Sequence, residues 1–138
     1  MTIKGYLEQY RDADRKARRL KREYEKEKTL IDTIKSPLGS DGLPHGTGIS
    51  KTVEQRAIRL ADKLLDYEEA QLDAVEIRQR IFDSIMNVDG IEGDVLYEKY
   101  IELKTWEDVA DAVNVSPRAV YYLRIKAFNK IKPFIVLQ

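Results

Sequence analysis

An all-α fold follows from three features of the 138-residue chain. Apolar residues recur every seven positions through its first third, a second helical period fills the middle, and Thr and Ser caps punctuate a tail of short helices. The expected architecture is an N-terminal antiparallel helical hairpin, coiled-coil-like, over residues 1–86. A C-terminal helix-turn-helix domain over residues 87–138 follows it. A charged fraction of 35% suits long solvated helices better than a thick core.

The first helix is expected from about Ile3 to Ile34. Ile3, Tyr10, Ala17, Tyr24 and Ile31 form one seven-residue repeat, and Tyr6, Ala13, Leu20, Glu27 and Ile34 form its neighbour. Only Glu27 breaks the stripe. A seam this narrow, with charge on the other faces, is a coiled-coil pattern. "KSPLGSDGLPHGTGIS" then ends the helix with prolines and glycines, giving a Gly/Pro-rich loop over residues 36–49. Ser50 is the expected N-cap of the next helix, about Lys51 to Met86.

That second helix carries a seam of Val53, Ala57, Leu60, Leu64, Tyr67, Gln71, Ala74, Arg78, Ile81 and Ile85. Folding back at the loop sets Ile31 near Val53, Leu20 near Leu64 and Tyr10 near Ala74. A further set, Ile58, Ala61, Leu65, Leu72, Val75 and Phe82, lies outside the seam and calls for cover. Either the C-terminal domain or another copy of the chain would supply it, making a homodimer or higher homo-oligomer one expected state.

"NVDG" at Asn87–Gly90 breaks the second helix, and three short helices are expected at about Ile91–Leu103, Trp106–Val113 and Pro117–Lys132. Thr105 and Asp108 resemble a capping box. Ser116 caps the last helix and Pro117 takes its first position, where a missing N–H costs nothing. Val109, Ala110 and Val113 face Val120, Leu123, Ala127, Phe128 and Ile131, with Leu96, Tyr100 and Ile101 as a third wall. Two short helices joined by a tight turn, with small Ala110 at their crossing, match helix-turn-helix geometry. The capped start of the last helix gathers free backbone N–H groups suited to a phosphate.

Charge is segmental although the formal net charge is zero. Residues 1–35 hold eleven basic and seven acidic side chains, and residues 87–115 hold two basic and eight acidic ones. From Ser116 to the end there are five basic residues and no acid. With no cysteine, disulfides and thiolate metal sites are excluded. No apolar run spans a bilayer or marks a signal peptide, so a cytoplasmic protein without membrane contact is expected. His45, the single histidine, has only Asp41 nearby as a second ligand, so neither a metal nor a catalytic base is assigned. "GTGISKT" fails as a phosphate-binding loop, because Ser50 precedes Lys51 where glycine is required. Catalytic residues and cofactors are expected to be none.

"TWEDVADAVNVSPRAVYYLRIKAFNKI" resembles the helix-turn-helix of bacterial sigma factor region 4. With "SPLGSDGLPHGTGIS" after a charged helix and "YIELKTWEDVADAV" near the end, most of the chain resembles the sigma-like ArpU-type regulators of phages and prophages. The resemblance implies a DNA-binding regulator of phage late transcription, working in the bacterial cytoplasm on double-stranded DNA, with host RNA polymerase as a further expected partner. It aligns Ser116 with a cap facing the phosphate backbone. Pro117, Arg118, Tyr121 and Tyr122 align with positions facing the major groove. Proline and the two tyrosines depart from the sigma pattern, so sigma promoter specificity does not transfer, and no counterpart of sigma region 2 is present.

Arg118 is the expected guanine reader, with Ser116, Pro117, Tyr121, Tyr122, Arg124 and Lys126 completing the DNA-binding set. One of Tyr121 and Tyr122 is expected to pack inward while the other meets DNA. Lys130 and Lys132, like Arg124 and Lys126, read as backbone contacts or solvated charge. Trp106 reads as a packing anchor. Arg11, Arg15, Arg18, Arg19 and Arg22 either extend the phosphate footprint or pair with Glu8, Asp14 and Glu23. Two competing readings keep the fold: an oligomeric phage DNA-packaging recognition subunit, small-terminase-like, or a polymerase-binding module without DNA contact.

Overall fold

The structure, a computed structural model, describes residues 1–34 and 47–135. The described chain is all-helical, with α1 Ile3–Ile34, α2 Thr47–Ile85, α3 Ile91–Leu96, α4 Trp106–Ala112 and α5 Pro117–Ile131. A π-helical turn, Tyr97–Ile101, continues α3, and a short 3-10 turn, Lys132–Phe134, continues α5. Most of the Gly/Pro-rich loop, with Asp41 and His45, lies outside the described residues. Among them no helix is long and apolar enough to cross a membrane.

Two compact units divide the chain: Met1–Ala13 with Asp73–Gln138, and Asp14–Leu72. This differs from a boundary between residues 86 and 87, and the core explains why. Leu7 of α1 and Ile81 and Ile85 of α2 share one apolar cluster with Leu96, Tyr100, Ile101, Ala127 and Ile131. The ends of both long helices therefore belong to the same unit as the short ones. Leu7 is fully buried although it lies outside both heptad stripes. Near its start α1 faces several elements at once, so it buries a face wider than a two-position seam.

A second cluster joins Val95, Val109, Ala110 and Val120, with Trp106, Val113, Val115 and Leu123 packed against it. The third wall is thus Val95 and Ile91 of α3. Leu96, Tyr100 and Ile101 turn instead toward the first cluster. Between the clusters the α3 backbone approaches closely: a Cβ on Gly93 would stand 2.3 Å from the Val88 carbonyl oxygen. Buried Ser84 ties α2 to the tail, its hydroxyl donating to the carbonyls of Arg80 at 3.1 Å and Phe134 at 3.4 Å.

In the unit of residues 14–72, Tyr24 stacks on Tyr67 with ring centroids 6.4 Å apart. Buried Glu27, the flaw in the stripe, meets Lys63 at 3.8 Å, and Lys63 also reaches Glu23 at 3.7 Å. These pairs correct the expected register. Leu20 beside Leu64 would set Tyr24 near Leu60, so the seam has slid by roughly one heptad. The inward set on α2 also changes: Ala70 is buried while Ala57 and Gln71 are exposed. Half-buried Lys63 stands on this face too, as a counter-charge to Glu27.

Two helix limits differ from expectation. α2 starts at Thr47, which places Ser50 inside the helix rather than at its cap. The expected Ile91–Leu103 helix is α3 followed by the π-helical turn, closed by Leu103 in the left-handed region at φ 59°.

Candidate nucleic-acid interface

Local chemistry fixes where α5 begins. Ser116 is extended at φ −71° and ψ 157°, and its hydroxyl accepts the Ala119 N–H at 3.1 Å. Pro117 fills the first helical position. Upstream, Thr105 caps α4 by accepting the Asp108 N–H at 3.2 Å. α4 ends in a Schellman arrangement: the Val115 N–H donates to the Ala110 carbonyl at 2.9 Å and the Asn114 N–H to Asp111 at 3.3 Å. Asn114 takes the left-handed conformation, φ 58°, which this motif requires and which Asn tolerates better than most residues.

With Val120, Ala127 and Ile131 buried and Leu123 half-buried, the opposite face of α5 is left to solvent. Arg118, Tyr121, Tyr122 and Ile125 are exposed on it at spacings of three, one and three residues, and Asn129 continues the line. Both tyrosines stand outside, 58% and 55% exposed, their rings edge to face at 5.9 Å. The expectation that one would pack inward is corrected. The second core cluster is filled by Val95, Val109, Ala110 and Val120 with Trp106 and Leu123 packed against them, and neither tyrosine belongs to it. Ile125, 49% exposed, was absent from the expected site, though its position seven residues after Arg118 would have marked it.

The basic residues divide. Ser116, Pro117, Arg118 and Lys126 are all exposed, and among the described residues neither Arg118 nor Lys126 forms an ion pair. Lys132 is likewise exposed. Lys130 instead meets Glu92 at 3.1 Å. A backbone hydrogen bond at Glu92, then the Lys130 ammonium, holds that carboxyl below its usual range.

Arg124 also departs from the expected set. Its guanidinium lies 5.5 Å from the Trp106 ring centroid and 5.4 Å from that of Phe128. Half-buried and stacked, it acts as a packing residue between α4 and α5. Lys99 approaches the same indole at 5.1 Å and donates to the Lys104 carbonyl at 3.1 Å. Burial, then the Arg11 charge, lowers the Lys99 pKa. Trp106 is thus a packing anchor, with the Tyr100 ring meeting it edge-on at 6.3 Å.

Of the α1 arginines, Arg11 pairs with Glu8 at 2.9 Å and Arg18 with Asp14 at 2.8 Å. Arg15, Arg19 and Arg22 form no ion pair among the described residues. Among the described residues no cluster of His, Cys, Asp or Glu is arranged to hold a metal ion. No family model, curated protein or solved structure matches the chain.

Proposed function

We propose that this chain is a DNA-binding transcription regulator of the ArpU type, encoded by a phage or prophage, with α4 and α5 acting as a helix-turn-helix. In this reading α5 enters the major groove, a channel about 12 Å wide that admits one helix. Arg118 reads guanine through a bidentate contact, Tyr121, Tyr122 and Ile125 meet sugars and thymine methyls, and Ser116 and Lys126 face phosphate. The paired long stretches of α1 and α2 form a helical hairpin that serves self-association or a polymerase contact.

The observation that carries this reading is the outward face of α5. Two tyrosines and an isoleucine lie exposed on one helical stripe that starts from Arg118 in the capped first turn. Folding gains nothing from rings left in water, so a partner surface is the physical reason for them. The tail that follows Ser116 carries no acid to repel phosphate.

Selection of duplex fragments by the purified protein, followed by sequencing, tests the proposal. A recovered motif, lost or relaxed by Arg118→Ala, supports it. Binding without base preference removes sequence reading, and no salt-sensitive duplex binding at all favours a polymerase-binding module.

A DNA-packaging recognition oligomer is the second reading, favoured by the exposure of Ile58, Leu65 and Leu72 at seven-residue intervals on α2. Heptad-spaced apolar residues facing water suit a neighbouring copy. A closed higher oligomer by sedimentation supports packaging, and a monomer or dimer supports regulation.

A further inference from the structure

The outward side of α1 carries a feature that α5 does not account for. Arg15, Arg18, Arg19, Arg22 and Lys26 fall within an arc of roughly 100° on the helix, at 3.6 residues per turn. All five are exposed. Glu23 and Glu25 flank this arc rather than entering it. The opposite side of the helix holds Ala17, Glu27 and Ile31, which are buried, and the half-buried Leu20 and Tyr24.

Internal neutralisation of this stripe is slight. Arg18 is held by Asp14 at 2.8 Å and Lys26 approaches Glu23 at 3.8 Å. Among the described residues Arg15, Arg19 and Arg22 have no carboxylate partner. Five neighbouring pairs, Arg15–Arg18, Arg15–Arg19, Arg18–Arg22, Arg19–Arg22 and Arg22–Lys26, bring like charges together at three- and four-residue spacing, which disfavours a helix on its own. The fold has no use for such a row, whereas a polyanion would relieve it.

We infer that the Arg15–Lys26 stripe of α1 is a second phosphate-backbone surface for duplex DNA, separate from the α5 face. This inference rests on the DNA-binding reading above and adds a non-specific footprint to it. The stripe is about 16 Å long at 1.5 Å per residue, long enough to meet several phosphates along one strand. Four of its five cations are arginines, whose planar forks suit phosphate oxygens. A lipid surface fits poorly, because a membrane-bound helix needs a free apolar side and that of α1 is turned inward. No apolar anchor interrupts the row between Arg15 and Lys26, which disfavours a protein groove.

The test compares the full-length protein with its R15Q/R19Q/R22Q variant, titrating a labelled duplex of arbitrary sequence by fluorescence anisotropy across a salt series. The slope of log affinity against log salt is expected to become shallower by about 2–3, near 0.9 for each lost phosphate contact. Base preference is expected to stay as in the wild type. R15K/R19K/R22K is expected to retain the wild-type slope, and circular dichroism checks that the glutamine variant remains helical. A glutamine variant with the wild-type slope overturns the inference and leaves the stripe to solvent or an acidic protein, while an Arg118→Ala loss of base preference still upholds the α5 site. Wild-type protein without salt-dependent duplex binding overturns both.

Discussion

The Tyr121 and Tyr122 rings meet edge to face at 5.9 Å, and both stand in solvent. Neighbouring residues on a helix point about 100° apart, so two adjacent large rings face outward together only when the buried stripe lies on the far side. Here Val120 and Leu123 supply that stripe. Alanine at either tyrosine is therefore expected to change stability by no more than about 0.5 kcal/mol, as for surface positions generally. Duplex affinity is expected to fall, by about tenfold for the double variant if the rings contribute roughly 1.4 kcal/mol. Thermal unfolding and anisotropy titration on the same samples check the pair of outcomes. A large loss of stability would assign the rings to the fold.

Glu27 and Lys63 lead to a different expectation. Glu27 is 6% exposed, its Oε1 has no hydrogen-bond partner, and the Lys63 ammonium stands 3.8 Å from Oε2. A buried carboxylate so loosely paired recovers little of its desolvation cost. Glu27→Leu is expected to raise stability by about 1–2 kcal/mol, with half-buried Lys63 extending its ammonium to water. Lys63→Leu, which leaves the carboxylate alone, is expected to lower it. Denaturant midpoints distinguish the two directions.

Asn114 holds the turn between α4 and α5 at φ 58°. Glycine adopts this conformation without a Cβ penalty, so Asn114→Gly is expected to be neutral or slightly stabilising. A β-branched Asn114→Val is expected to lose about 1–2 kcal/mol. Chemical denaturation measures both, and equal effects would show that the turn relaxes.

Tyr100 gives the pH dependence. Burial pushes its hydroxyl up to about 12 from an ordinary value of 10.0. The folded state thus favours the neutral phenol. Its contribution is fully present below the unfolded value and is lost as pH rises from about 10 toward about 12. Tyr100→Phe is expected to flatten that alkaline decline in a pH series of melting temperatures, leaving the neutral-pH fold intact.

Local chemistry was legible in the sequence. The Thr105 and Ser116 caps and the Pro117 start depend on groups within three residues of each other, and they stand where the letters put them. Pairing register was not legible, because a heptad pattern looks the same after a shift of seven. Among the described residues the Glu27–Lys63 and Tyr24–Tyr67 encounters select between registers. The outward tyrosines and the stacked Arg124 escaped prediction for a related reason. Each depends on how much room the α3–α5 core leaves, which side-chain periodicity on one helix does not reveal. Leu103, a bulky residue at φ 59°, carries no local signal at all and lies between Glu102 and Lys104, whose N–H groups donate back to the Tyr97 and Glu98 carbonyls.

Leu7 shares its cluster with Ile131 and Ile135. During synthesis Leu7 can meet Ile81 and Ile85 first, while its share of the α5 side of the cluster waits until Ile131 has been made. Joining residues more than a hundred positions apart, this cluster closes late in folding. A chain cut before Ile131 would thus weaken the seat of its first helix, a loss felt far from the cut.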